Sequence, residues 1–275
     1  TYNSARIFVP LFLIVLIWIY KNQLINFVKA KKTAFVVCCL LFALFFIPMF
    51  YQLARPVGQA RYGWVAILDE GAINNINESR RVSKFNPLIT KLVYNKAIYF
   101  SKEFAKNYTS HFSRNFLYTN GGSQYQFSTP GFGLLYPVNA LFLLIGLALV
   151  FKKKNYFLLS WLLLAPVASS LTRESPHVLR AITMLPVPML VSAYGATSAL
   201  DWLVKKKNRV LHAHAIKLLA VSSYFILLFF FAERYLFNYF FRYTYEYSQA
   251  WQHGYATVVD TAKIHFKDYD QFIVT

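Results

Sequence analysis

Residues 29–51 read KAKKTAFVVCCLLFALFFIPMFY, and this stretch decides the fold. Lys29, Lys31 and Lys32 stand together, and the run from Ala34 to Tyr51 then carries no charge. An apolar helix of about 20 residues crosses the roughly 30 Å hydrocarbon layer of a bilayer. The run therefore reads as a membrane span held at one surface by its lysines. Cys38 and Cys39 lie inside it. Neighbouring side chains on a helix diverge, so they read as buried thiols and not as a disulfide.

Outward from that run, five further apolar stretches approach the same length: residues 7–20, 137–151, 156–171, 178–204 and 215–241. The two short stretches, 137–151 and 156–171, could also form one re-entrant hairpin. Of 275 residues, 57% are hydrophobic and 19% aromatic, which leaves too little polar surface for a water-soluble domain of this size. A net charge of +18 could serve a nucleic acid, but the basic residues fall in short clusters between apolar runs. That placement speaks for membrane topology, and no nucleic-acid partner is expected.

The clusters orient the chain. Lys21, Lys29, Lys31 and Lys32 fall in the first connection, Lys152, Lys153 and Lys154 in another, and Lys205, Lys206, Lys207, Arg209 and Lys217 in a third, with Asp201 the only acid near them. Short loops rich in Lys and Arg stay cytoplasmic. The expected fold is an all-α polytopic membrane protein of about six transmembrane helices, with an extracytoplasmic loop region and a C-terminal extracytoplasmic α/β segment. Residues 1–51 hold two spans, 52–136 the outer loop, 137–241 four spans, and 242–275 the start of an outer domain cut short. The chain opens at Thr1 without an initiator Met or a charged leader, so it reads as an internal fragment.

Within the outer loop, residues 61–68 suit a strand. Residues 87–108 suit an amphipathic interfacial helix, with Leu88, Leu92, Phe100 and Phe104 among Lys91, Lys96, Lys102 and Lys106. In the tail, residues 248–266 suit a helix, and the closing Phe272, Ile273, Val274 and Thr275 a strand.

The densest polar cluster beside the membrane is the turn holding Arg173, Glu174, His177 and Arg180. A helix starting near Pro176 would set His177 and Arg180 one turn apart beside free backbone N–H groups, a seat for a phosphate or pyrophosphate. An interfacial turn whose arginine snorkels to lipid headgroups fits those residues equally. Arg6 opens the first run, and Glu233 with Arg234 near the end of the last reads as a structural anchor. His212 and His214 are two apart and cannot share a helical face, while His111, His253 and His265 stand alone, so no metal site is expected. Asn107, Tyr108 and Thr109 spell a glycosylation sequon, a frequent chance match. Gly-rich phosphate loops, HExxH pairs and nucleophile elbows are missing from the sequence, so the common soluble-enzyme classes find no support.

Several short motifs resemble the C-terminal part of bacterial GT-C fold membrane glycosyltransferases, the polyprenyl- or dolichyl-phosphate-sugar-dependent group that includes protein mannosyltransferases and the aminoarabinose transferase of lipid A. They are Tyr2, Ser4, Ala5 and Arg6; Tyr94, Asn95 and Lys96; Asn120, Gly121 and Gly122 with Pro130, Gly131, Gly133, Leu134 and Tyr136; Pro176, His177 and Arg180 with Pro186 and Gly195; and Ser248, Trp251, Gln252, Gly254 and Tyr255. The resemblance implies transfer of one sugar from a polyprenyl-phosphate donor lipid to an acceptor outside a bacterial cytoplasmic membrane, without a metal or other cofactor. It implies that Arg180 and His177, with Lys96, hold the donor phosphate, with Arg173, Glu174 and Arg6 in support. The catalytic base of such enzymes, an acidic residue, lies in their first outer loop, ahead of this chain, so no catalytic residue is expected here, Asp69 and Glu70 included. A non-catalytic membrane scaffold is the alternative. A transporter is disfavoured, because the ionisable groups gather at span ends.

Overall fold

The computed structural model describes residues 4–56, 63–205, 210–268 and 271. Its order is α1 (Ala5–Ile19), α2 (Lys21–Ala30), α3 (Lys32–Leu53), α4 (Glu70–Val82), α5 (Pro87–Val93), α6 (Lys96–Ser110), α7 (Asn139–Lys152), α8 (Tyr156–Leu164), α9 (Val167–Ser170), α10 (Pro186–Lys205), α11 (Val210–Phe237) and, after a π-helical turn at Asn238–Tyr243, α12 (Tyr255–Ile264).

Three helical stretches are long and apolar enough to cross a membrane: Lys32–Leu53, Ile182–Val204 and Ala215–Glu246. The pair α1 and α2, bent by 83°, makes a fourth if it counts as one span. The expectation of six spans is corrected to three or four among the described residues. After Tyr20 the chain meets Lys21, Asn22 and Gln23, which cannot continue into hydrocarbon, and α2 turns aside with nothing buried. The helix α7 is 14 residues long, about 21 Å at 1.5 Å per residue, short of a full crossing. Pro166 has no N–H and its ring crowds the carbonyl four residues back, so it ends α8, and α9 is a single turn. Pro186 opens α10, and the lead-in from Ile182 to Met184 is a 3-10 turn, so this span starts after Val178.

The medium around the long helices follows from their surfaces. No residue in the most apolar window of α3 or of Ala215–Glu246 is buried inside the protein, and Phe45 and Phe229 are 73% and 74% exposed. Helices this apolar on all sides, with no residue of those windows buried by protein, need hydrocarbon around them, which makes this a membrane protein. The thiols of Cys38 and Cys39 share that exposed surface, a correction to the buried reading.

One helix pair is packed backbone to backbone. A Cβ on Gly195 would lie 1.9 Å from the Phe142 carbonyl oxygen and 2.7 Å from the Gly146 nitrogen, and a Cβ on Gly146 would lie 2.0 Å from the Val191 carbonyl oxygen. Lipid supplies no hydrophobic drive between helices, so close small-residue packing of this kind holds α7 on α10. Beside this seam a core of Phe116, Leu117, Leu135, Leu143, Val150, Leu162, Met184, Val187 and Val191 joins the helices to the loop. Phe12 of α1 packs on Trp161 of α8 with ring centroids 5.3 Å apart. The Trp161 Nε1–H donates to the Thr183 carbonyl at 2.8 Å.

The expected interfacial helix divides in two, because Asn86 and Asn95 each cap a new start: their Oδ1 atoms accept from Leu88 N at 3.0 Å and Ile98 N at 2.9 Å. Leu88 and Leu92 of α5 stay unburied. The strand expected at residues 61–68 is a single bridge between Ala66 and Thr172, its first two residues lying outside those described. The α/β tail is corrected to helical: among the described residues there is no strand, and left-handed backbone at Gln252 and Gly254 delays α12 to Tyr255. The expected closing strand at residues 272–275, with Tyr2, Lys206, Lys207 and Arg209, lies outside the described residues.

Candidate functional site

After α9 the chain makes an irregular turn through residues 171–181, and three pieces of the loop region grip it. From the first, Arg173 N donates to the Val65 carbonyl at 2.9 Å, and the Arg173 guanidinium donates to Asp69 Oδ2. Asp69 also caps α4, accepting from Ala72 N at 2.8 Å. That backbone bond first, and Arg173 second, hold its carboxyl below the usual carboxylate range. From the second, the buried Asn107 of α6 donates through Nδ2 to the Thr172 carbonyl at 2.9 Å and the Ser170 carbonyl at 3.4 Å. This amide is spent, which closes the sequon reading. From the third, Gln124 Nε2 donates to Glu174 Oε2 at 3.0 Å, and Gly122 lies so close that a Cβ there would touch Val178 at 3.0 Å.

Arg180 sits inside this frame with its side chain only 10% exposed. Its Nη1 donates to Thr172 Oγ1 at 2.8 Å and the Glu174 carbonyl at 3.3 Å, and its Nη2 to Glu174 Oε2 at 2.9 Å. A guanidinium carries five N–H groups. Three are engaged here, and those left, on Nε and Nη2, have no partner among the described residues. His177 is buried, and its Nδ1 accepts from Arg180 N at 3.3 Å. Burial, with the Arg180 charge next, lowers the ring from 6.5 to about 4, so it is neutral at pH 7. With Nδ1 accepting, the proton is on Nε2, a donor with no partner among the described residues.

His111 is the residue that sequence reasoning passed over. It is fully buried, with Nδ1 2.8 Å from the Asn107 carbonyl and Nε2 2.9 Å from Ser169 Oγ. A carbonyl only accepts, so Nδ1 carries the hydrogen and Nε2 takes the serine proton. Burial lowers this ring to about 4 as well. Asn107 near the end of α6 and His111 at its C-cap, four apart, were a legible polar pair.

The structure thus brings Glu174, His177 and Arg180 together, turns the Arg173 side chain to Asp69, and leaves two further candidates aside. Lys96 opens α6, eleven residues before Asn107, or about 16 Å along the helix. Arg6 on α1 has no hydrogen-bond or ion-pair partner among the described residues. Among the described residues no three His, Cys, Asp or Glu side chains converge as metal ligands, and the side chains of His212 and His214 lie outside those described.

A cavity of about 510 Å³ opens beside this turn, between residues 127–136, α10 and α11. Its walls include Phe127, Phe132, Leu135, Leu185, Met189 and Leu228, with hydroxyls from Ser128, Thr129, Ser192 and Tyr235. Phe127 packs on the His177 ring at 5.5 Å, so one aromatic ring separates the polar turn from the cavity. Ser192 Oγ is buried with no partner among the described residues. No family model, curated protein or solved structure matches the chain.

Proposed function

We propose that the chain is the C-terminal part of a bacterial membrane glycosyltransferase of the GT-C type, moving a sugar from a polyprenyl-phosphate donor to an acceptor on the extracytoplasmic side. In this reading the turn of residues 171–181 and the loop region face outward, and the lysine clusters at residues 29–32 and 205–209 face the cytoplasm. One observation carries it: the largely apolar cavity between two membrane-crossing helices, which reaches the His177 ring through Phe127. An isoprenoid chain suits its walls. The orphan Ser192 hydroxyl, which costs about 1–3 kcal/mol unpaired, suits a ligand oxygen. The His177 Nε2–H and the remaining Arg180 N–H groups are the donors proposed for the phosphate. They would stabilise the negative charge left on it when the glycosidic bond breaks. Lys96 stands too far along α6 to share that role.

The test is transfer by the full-length protein from a polyprenyl-phosphate-linked sugar. Ala193→Trp fills the cavity at a wall of α10 that takes no part in the polar turn. A loss of at least about tenfold, about 1.4 kcal/mol, with unchanged helix content supports the reading; wild-type turnover removes it. The bracing of Arg180 by Thr172 and Glu174 favours a second reading, a non-catalytic membrane subunit. Donor binding without turnover by the full-length protein would select that one.

A further inference from the structure

We infer that the C-terminal end of α11 carries a binding site for the phosphate of a membrane lipid, held by Arg234 and Arg242 with Asn238 between them. The site does not depend on the transferase reading.

All three residues line one concavity of about 290 Å³, floored by Gly131 and Phe132. Their alignment comes from the π-helical turn Asn238–Tyr243. At about 100° per residue, positions eight apart on a regular α-helix are about 80° out of line. A π turn takes up one extra residue, so the two arginines behave as if seven apart, about 20° from eclipsed. Gly131 has φ +80, and a Cβ there would meet nothing within 4 Å, so the floor is open to a ligand. Neither guanidinium has a carboxylate partner among the described residues. Glu233 and Glu246, the acids on the same segment, do not line the space. The Arg234 guanidinium carbon stands 5.9 Å from the centre of the Phe132 ring, which leaves its N–H edge for an anion.

Two observations make the anion a lipid phosphate and not a soluble one. Lys217 and Arg234 bracket the span about 25 Å apart along the helix, so Arg234 marks the level where hydrocarbon gives way to headgroups. Phe132 and Phe237 give the concavity an apolar side, so an acyl chain attached to the phosphate leaves it along apolar surface.

Native mass spectrometry of the full chain in detergent, with phosphatidylglycerol, phosphatidylcholine or inorganic phosphate added, tests the site. Phosphatidylglycerol is expected to be retained at least about tenfold better than phosphatidylcholine, and excess inorganic phosphate should not displace it. Arg234→Gln with Arg242→Gln should erase the preference, and Arg234→Lys with Arg242→Lys, which keeps both charges but loses the planar fork, should leave part of it. Equal retention of the two lipids by the wild type, or an unchanged preference in the folded Gln variant, overturns the proposal. Displacement by inorganic phosphate would assign the site to a soluble phosphate and overturn the lipid source. If the Gln variant does not fold, the wild-type comparison decides alone.

Discussion

Arg180 and Glu174 are joined twice, side chain to side chain at 2.9 Å and guanidinium to the Glu174 carbonyl at 3.3 Å, and the arginine is the more buried partner. Loss of the carboxylate therefore strands a buried cation. Glu174→Ala is expected to lower stability by about 2 kcal/mol. Glu174→Gln, which keeps an acceptor, should lower it by about half as much. Thermal unfolding in detergent gives both values, and the account requires Ala to be the worse.

His111 and His177 give the fold an acid limit. Both rings are lowered from 6.5 to about 4, so the unfolded chain takes up their protons before the folded chain does. Stability is then full above about pH 6.5 and falls as pH drops toward 4, by on the order of 1–2 kcal/mol per histidine at pH 5. Unfolding temperatures measured from pH 7 to 4.5 should decline through this window. His111→Gln should reduce the slope, since an amide does not titrate.

Gly195 and Gly131 should respond differently to the same substitution. Gly195→Ala drives a methyl into the Phe142 carbonyl and should separate α7 from α10, lowering stability by about 1–3 kcal/mol. Gly131→Ala meets no neighbour and carries only the strain of positive φ, about 1–2 kcal/mol. Cysteine cross-linking between α7 and α10 tells them apart, because only the first variant should lose its cross-links.

The sequence made the lipid medium and the polar turn legible, since uncharged runs and lysine clusters are local properties. It misjudged the number of spans, because hydropathy counts composition while crossing needs an unbroken helix. Tyr20, Pro166 and Pro186 are where the runs break. Glu174, His177 and Arg180 could be grouped by proximity in sequence. The bracing of Arg180 by Thr172, and the hold of Asn107, His111 and Gln124, arise only when α6 and the loop at residues 120–128 fold back on the turn. The two caps at Asn86 and Asn95 were local signals within reach of the sequence.

The side of the membrane on which the polar turn stands is the claim on which the function depends. The most direct measurement labels single cysteines in the full-length protein in intact cells, in a Cys38→Ala, Cys39→Ala background. The positions are Ser123→Cys, in the loop that grips the turn, and Lys29→Cys, beside the first lysine cluster, both exposed. An impermeant maleimide should label the Ser123 position directly and the Lys29 position only after permeabilisation. The reverse pattern would put His177 and Arg180 in the cytoplasm and contradict the account.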